Sequence, residues 1–168
     1  MKNKSNPKNF IYKNEQILNH QEAFISIDER GFLFGDGLFE TCRFINQKII
    51  NFDAHLARIK IGLSTLKFNI DLQNIETKCY NLIKKNNLQE GIIRISISRG
   101  IGSKGYLPTN ETPNLVIIQT KELPMPPKNA DLILCDVNPP NFKFKSANSL
   151  PYILAKIFAN ENNFFDAI

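Results

Sequence analysis

Hydrophobic positions three and four residues apart mark two helices in the first half of the chain. The first helix is predicted to begin at Asp53, which can cap it, and the second to span 74–87. Each helix then buries one apolar face. The inward positions are Leu56, Ile59, Leu63 and Leu66 in the first helix, and Ile75, Cys79, Leu82 and Ile83 in the second.

Apolar runs of other kinds predict strands around these helices. Residues 92–98 alternate, so three isoleucines share one face and Arg94 shares the other with two serines. Residues 115–119 begin with four consecutive apolar residues, which predicts a continuous buried strand. Further strands are predicted at 10–18, 23–27 and 132–137, with a turn over 28–31 and a hairpin over 38–51.

A proline-rich stretch at 123–127 suits neither a helix nor a central strand. The sequence therefore predicts two domains, residues 1–123 and 128–168. In the second, a helix over 148–162 is predicted to bury its apolar side chains. These are Leu150, Leu154, Ile157 and Phe158.

Composition narrows the class of protein. No apolar run of the 168 residues approaches the roughly 20 needed to cross a bilayer, so we expect a cytoplasmic protein without a membrane partner. The net charge of +5 comes from scattered lysines, which argues against nucleic acid. Cys42, Cys79 and Cys135 are widely spaced and odd in number, so we expect reduced apolar fillers and no metal site.

Two basic residues stand out by position. Lys145 follows an apolar-rich loop and precedes the last helix, so its amine is expected in a partly dry pocket, where it can act as a nucleophile. Arg58, between apolar positions of the first helix, can hold a phosphate through paired hydrogen bonds. On position alone, Lys143 and Lys156 are equal candidates, and a surface position is the commoner one for such an arginine.

Two glycine-containing segments add further candidates. In 34–41, the glycines allow close backbone approach, and aromatic, acidic and hydroxyl residues follow on a strand. In 98–106, three glycines accompany Arg99 and Lys104, a pair of cations suited to holding carboxylates. No helix is predicted directly after this second segment, which excludes a dinucleotide loop.

Together these segments resemble the class IV fold of pyridoxal 5'-phosphate enzymes, and among them most closely the aminodeoxychorismate lyases. The matching stretches are Phe-Gly-Asp-Gly-Leu-Phe-Glu-Thr at 34–41, His-Leu-Ala-Arg at 55–58, Ser-Arg-Gly-Ile-Gly-Ser-Lys-Gly-Tyr at 98–106, Lys-Ser-Ala-Asn at 145–148 and Asp-Ala-Ile at 166–168. The resemblance implies an α/β (α+β) chain with a class IV aminotransferase-like two-domain fold, whose second, barrel-like domain is incomplete.

The resemblance also implies the role of each candidate. Lys145 would be the catalytic residue and hold pyridoxal 5'-phosphate covalently, Arg58 would bind its phosphate, and His55 would be structural. The residues expected to bind the small anionic amino substrate are Phe39, Thr41, Arg99, Lys104 and Tyr106. The implied reaction converts 4-amino-4-deoxychorismate into 4-aminobenzoate, a folate precursor, and pyruvate. The implied assembly is a homodimer.

Two other functions remain open from the sequence. A class IV aminotransferase of the D-amino acid or branched-chain type would share the same lysine and arginine, and a non-catalytic remnant would keep only the fold. The chain ends 23 residues after Lys145, so the resemblance also leads us to expect that this chain alone is a poor enzyme. Several apolar side chains would then lack partners on one side, namely Leu132, Leu134, Leu154, Ile157 and Phe158.

Overall fold

A computed structural model describes residues 9–102, 105–109, 113–125 and 127–168. Its main feature is a six-stranded antiparallel sheet with the strand order β2-β1-β6-β5-β3-β4. The strands are β1 Phe10–Lys13, β2 Gln16–Asn19, β3 Gly37–Ile45, β4 Lys48–Ile49, β5 Glu90–Ser98, β6 Leu115–Lys121, β7 Leu132–Ile133 and β8 Asp166–Ala167. The helices are α1 Arg30–Phe34, α2 Phe52–Leu66, α3 Ile75–Lys85 and α4 Leu150–Glu161. The predicted α/β (α+β) class is thus confirmed.

The core lies between this sheet and the helices α2 and α3. The two helices bury the predicted face, although Leu56 and Leu66 are only partly covered. In β5 the three isoleucines of the alternating run are buried, as predicted. Cys42 and Cys79 fill core positions as free thiols. Burial, and after it the charge of Glu40, raises the pKa of Cys42 to about 12, so this thiol stays protonated.

Several boundary predictions are wrong in the amino-terminal half. Residues 10–18 form the β1 and β2 hairpin instead of one strand, and 23–27 form no strand, since Phe24 and Ile27 are exposed. Helix α2 begins at Phe52 after Asn51, and Asp53 lies inside its first turn without acting as the cap. The alternation of the sheet also overrides the continuous apolar run of β6, of which every second residue is buried.

The carboxyl-terminal part forms a small unit in which β7 and β8 pair in parallel and α4 connects them. The predicted burial of Leu150, Leu154, Ile157 and Phe158 is wrong, because a two-stranded sheet is too small to cover this helix, and Ala159 is its buried residue. The predicted strand over 132–137 shrinks to β7. The described residues contain no closed barrel. The boundary between the two domains stays a prediction.

Among the described residues, no helix has the length and apolar character needed to cross a bilayer. The same part of the chain holds no cluster of three or more histidine, cysteine or acidic side chains that could bind a metal ion.

Candidate active site

Lys145 lies beside the open edge of β3. The amide of Phe39 donates to the carbonyl of Lys145 at 2.9 Å, and the amide of Ala147 donates to the carbonyl of Gly37 at 2.9 Å. Residues 145–147 therefore extend the sheet by a short bridge centred on Ser146. Sheet geometry fixes the backbone of the candidate lysine, although the lysine follows a loop in the sequence.

Close packing brings this edge next to α2. Gly62 of α2 has no space for a side chain, since a Cβ there would lie 2.8 Å from Leu38 and 3.0 Å from Phe144. Phe144 is buried against this part of the helix. The glycine lets α2 approach the segment that carries Lys145, which puts Arg58 and Lys145 on one cavity.

That cavity has a volume of about 510 Å³. Its lining includes Phe39, Arg58, Phe144, Lys145 and Tyr152. The amine of Lys145 lies 5.7 Å from the centre of the Phe39 ring. The lysine side chain is exposed, so the described residues do not provide the partly dry pocket that the sequence led us to expect.

Arg58 is held at the rim of the cavity by Glu40, which the sequence motifs did not indicate as a site residue. Its Nε donates to Glu40 Oε1, and its Nη2 donates to Glu40 Oε2 at 2.8 Å. The Nδ1 of His55 lies 2.7 Å from Glu40 Oε2. The alternation of residues along β3 could have indicated Glu40, because it is a charged residue on the buried face of the strand that Leu38 and Cys42 share.

The charges of this cluster reinforce one another. Burial alone would raise the pKa of Glu40, but hydrogen bonds and positive charge from Arg58 and His55 outweigh it and leave the pKa below its usual value. The hydrogen bond to Glu40 in turn raises the pKa of Arg58. Both groups are therefore ionised at neutral pH.

Phe39 and Thr41 lie on the opposite face of β3 from Glu40, and Arg94 of β5 joins them there. The guanidinium of Arg94 stacks on the Phe39 ring at 3.7 Å from its centre, and Arg94 pairs in register with Thr41. Burial lowers the pKa of Arg94. The sequence placed Arg94 on the polar face of its strand without assigning it a role, and in the structure both Arg94 and the Lys145 amine lie against the Phe39 ring.

Arg99 has a different environment from the one expected for a substrate-binding residue. Its Nε and Nη2 donate to Asp36 Oδ2 and Oδ1 at 2.8 and 3.3 Å, and Nη2 also donates to the carbonyl of Leu66 at 2.7 Å. Its guanidinium lies 4.3 Å from the centre of the Phe68 ring. Arg99 is buried and does not line the Lys145 cavity. Two of its three guanidinium nitrogens are thus already hydrogen-bonded within the fold.

Asp36 is shared with a second buried arginine, Arg30 of α1. Arg30 Nε donates to Asp36 Oδ2 at 2.9 Å, while its other nitrogens donate to the carbonyls of Gly105 and Tyr106 at 2.7 and 3.2 Å. The Tyr106 side chain is exposed and contacts the edge of the Phe34 ring. Lys104, the remaining candidate, lies outside the described residues.

The groups around the Lys145 cavity fit pyridoxal 5'-phosphate. A guanidinium has five N–H groups, of which Arg58 donates two to Glu40, so three are left for a phosphate. The lysine amine suits an aldehyde, and Phe39 and Phe144 supply apolar walls for a planar ring. Lys145 and Arg58 are the residues that would hold the cofactor.

Comparison with known proteins gives a consistent result. The model of the family described as amino-transferase class IV matches residues 37–168. A D-alanine aminotransferase of Staphylococcus aureus (strain MSSA476) is 27% identical over 94% of this chain and 59% of its own length. The chain thus spans about three-fifths of the length of the curated relatives that it matches.

Solved structures share the fold. A branched-chain amino acid aminotransferase of Escherichia coli superposes with a TM-score of 0.86 at 21% identity, covering 96% of this chain and 59% of that one. A 4-amino-4-deoxychorismate lyase of Pseudomonas aeruginosa superposes with a TM-score of 0.74 at 24% identity, covering 88% and 56% of the two chains. The predicted class IV fold is confirmed.

Proposed function

This chain belongs to the class IV aminotransferase family of pyridoxal 5'-phosphate enzymes, and from that premise we propose that it cleaves 4-amino-4-deoxychorismate to 4-aminobenzoate and pyruvate. The observation that carries the proposal is the single cavity shared by Lys145 and Arg58. The choice of reaction rests on the segment 98–106, whose composition resembles that of the lyases.

Each residue of the site has a chemical task in this proposal. Pyridoxal 5'-phosphate, when bound, supplies the electron sink for the bond that breaks next to the substrate nitrogen. Lys145 would hold the aldehyde, and its amine, once freed by the substrate amine, would take the proton from the ring carbon beside that substrate amine, so that the enolpyruvyl group leaves as pyruvate and the ring becomes aromatic. Arg58 holds the phosphate. Phe39 would form one wall for the cofactor ring, and Arg94, which stacks on Phe39, is proposed to pair with a substrate carboxylate.

Amino transfer is the second candidate, and two observations favour it. Arg99 is already paired with Asp36. Arg94, stacked against Phe39, is then the cation left for a substrate carboxylate. One such cation suits a substrate with one carboxylate. The D-alanine aminotransferases also match 94% of the chain. The lyase reaction requires recognition of a second carboxylate, for which we propose Lys104 or an Arg99 released from Asp36, with Thr41 and Tyr106 as further contacts.

Substrate preference distinguishes these functions. With pyridoxal 5'-phosphate added, we expect pyruvate release from 4-amino-4-deoxychorismate to exceed transamination of D-alanine and leucine by at least about tenfold, because a carboxylate-binding site left unpaired by a smaller substrate loses transition-state stabilisation. Initial rates at equal substrate concentrations measure this ratio. Faster transamination would support the aminotransferase, and no turnover of any substrate would leave the non-catalytic alternative.

We also propose that the protein is a homodimer that associates through an apolar surface around α1. This surface consists of Phe24, Ile27, Phe32 and Tyr106, all more than 70% exposed. Arg30, the first residue of α1, donates a hydrogen bond to the Tyr106 carbonyl, which keeps Tyr106 next to α1. Exposed apolar groups of this size favour association.

The surface can be tested by sedimentation equilibrium. We expect a dimer for the unchanged chain and a monomer for Phe32→Glu, because a charge at the centre of an apolar interface stays unpaired. Tyr80→Glu, an exposed aromatic position on α3, is the matched control and should stay dimeric. A dimer that persists in Phe32→Glu would exclude this surface.

A further inference from the structure

Glu40 is a charged residue in a row of core positions. Its neighbours on the same face of β3 are Leu38 and Cys42, and its side chain is 1% exposed. A carboxylate in such a place destabilises the fold unless hydrogen bonds and opposite charges compensate for lost hydration. An apolar residue would satisfy the sheet and the core, so packing alone does not explain a glutamate here.

Both oxygens of Glu40 are directed at side chains of α2. Arg58 donates two hydrogen bonds, one to each oxygen, and the Nδ1 of His55 contacts the second oxygen. Such a two-point contact fixes both the position and the plane of a guanidinium. A single hydrogen bond would leave the plane of Arg58 free to rotate.

The far edge of the same guanidinium reaches the Lys145 cavity. The Arg58 side chain is 40% exposed, whereas Glu40 lies behind it in the core. The three N–H groups not donated to Glu40 are therefore on the side where a ligand can approach. Because the arginine is ordered before the ligand arrives, binding loses less side-chain entropy.

We propose that Glu40 is a positioning residue, which orients Arg58 so that the Lys145 cavity prefers phosphate-bearing aldehydes over the same aldehydes without phosphate. This inference rests on the proposed function, because it requires that an aldehyde binds at Lys145. It concerns the phosphate end of the site and applies to a lyase and an aminotransferase alike.

The direction in which phosphate affinity changes when Glu40 is replaced distinguishes a positioning role of Glu40 from a purely electrostatic one. Glu40 is negatively charged and lies behind the phosphate site, so its charge alone would weaken the binding of an anion. Replacing it by a neutral glutamine would then tighten phosphate binding. If Glu40 acts by orienting Arg58, the same change weakens phosphate binding, because the glutamine NH₂ group faces hydrogen-bond donors and breaks the two-point contact.

The experiment measures the affinity of the chain for pyridoxal 5'-phosphate and for pyridoxal, from the absorbance of the lysine-bound aldehyde, with Lys145→Ala as the blank. We expect Glu40→Gln to weaken pyridoxal 5'-phosphate binding on the order of tenfold and to leave pyridoxal binding unchanged. Arg58→Ala should weaken pyridoxal 5'-phosphate binding by about tenfold to a hundredfold. Arg58→Lys should weaken it by less, since the lysine keeps the positive charge and loses only the paired guanidinium donors.

Two comparisons distinguish positioning from general destabilisation. Glu40→Gln combined with Arg58→Ala should bind pyridoxal 5'-phosphate no more weakly than Arg58→Ala alone, because a residue that acts through Arg58 has no effect without it. Glu29→Gln is the matched control, since Glu29 is another buried glutamate but accepts its hydrogen bonds from Ser98, Gly100 and Phe32. It should change both affinities equally or not at all.

The outcomes separate this inference from the function on which it rests. An unchanged chain that binds neither aldehyde refutes the proposed function and removes the basis of the inference. An unchanged chain that prefers pyridoxal 5'-phosphate, together with a Glu40→Gln variant that retains or increases the preference, overturns the inference alone. Loss of the preference in Glu40→Gln, with pyridoxal binding intact, supports both.

Discussion

Replacing Lys145 by alanine is expected to abolish covalent binding of pyridoxal 5'-phosphate completely. The reason is the position of its backbone, which pairs with β3 through the Phe39 amide and holds the lysine at the cavity that Arg58 lines. An alanine leaves no amine there to react with the aldehyde. Borohydride reduction followed by peptide mapping measures the attachment site directly.

Lys143→Ala is the matched control for this prediction. Lys143 lines the same cavity but lies outside the segment that pairs with β3. The control should bind the cofactor as the unchanged chain does, with the label on Lys145. Label on Lys143 or Lys156, or undiminished labelling of Lys145→Ala, would show that the wrong lysine was chosen.

Replacing Asp36 by asparagine is expected to give the largest loss of stability. Asp36 is the shared partner of Arg30 and Arg99, whose side chains are 2% and 6% exposed. Without the carboxylate, both buried guanidinium groups lose their ion pair with Asp36, and breaking a buried ion pair from one side costs about 3 to 5 kcal/mol. For a chain of this size, each kcal/mol lowers the melting temperature by about 2 to 4 °C.

Thermal unfolding followed by circular dichroism checks this expectation. Asp28→Asn is the control, because Asp28 lies just before α1, as Asp36 lies just after it, and Asp28 is exposed. Such a surface change should alter the unfolding free energy by less than about 0.5 kcal/mol. A similar melting temperature for both variants would mean that the Asp36 cluster contributes little to the fold. In that case Arg99 would be available for a substrate carboxylate.

The local pattern of the sequence was sufficient for the elements that depend on local forces. Helices α2 and α3 follow directly from apolar residues at helical spacing, and β5 follows from strict alternation. The pattern failed for α4, whose burial depends on the elements that pack against it. Helix α4 has the apolar residues of a buried helix, yet Leu154 and Ile157 are about half exposed, because the described part of the chain offers only two short strands to cover it.

For the candidate site too, the sequence determined one part and the tertiary structure decided another. The sequence by itself determined the family, through short segments whose residues and order are specific, and with it the selection of Lys145 and Arg58. Only the tertiary structure decided which charges meet. Glu40 and Arg58 are 18 residues apart and form one ion pair, and Arg99 meets Asp36 across 63 residues. Sequence spacing describes only neighbours on one helix or strand, whereas ion pairing depends on the distance between atoms in the folded chain.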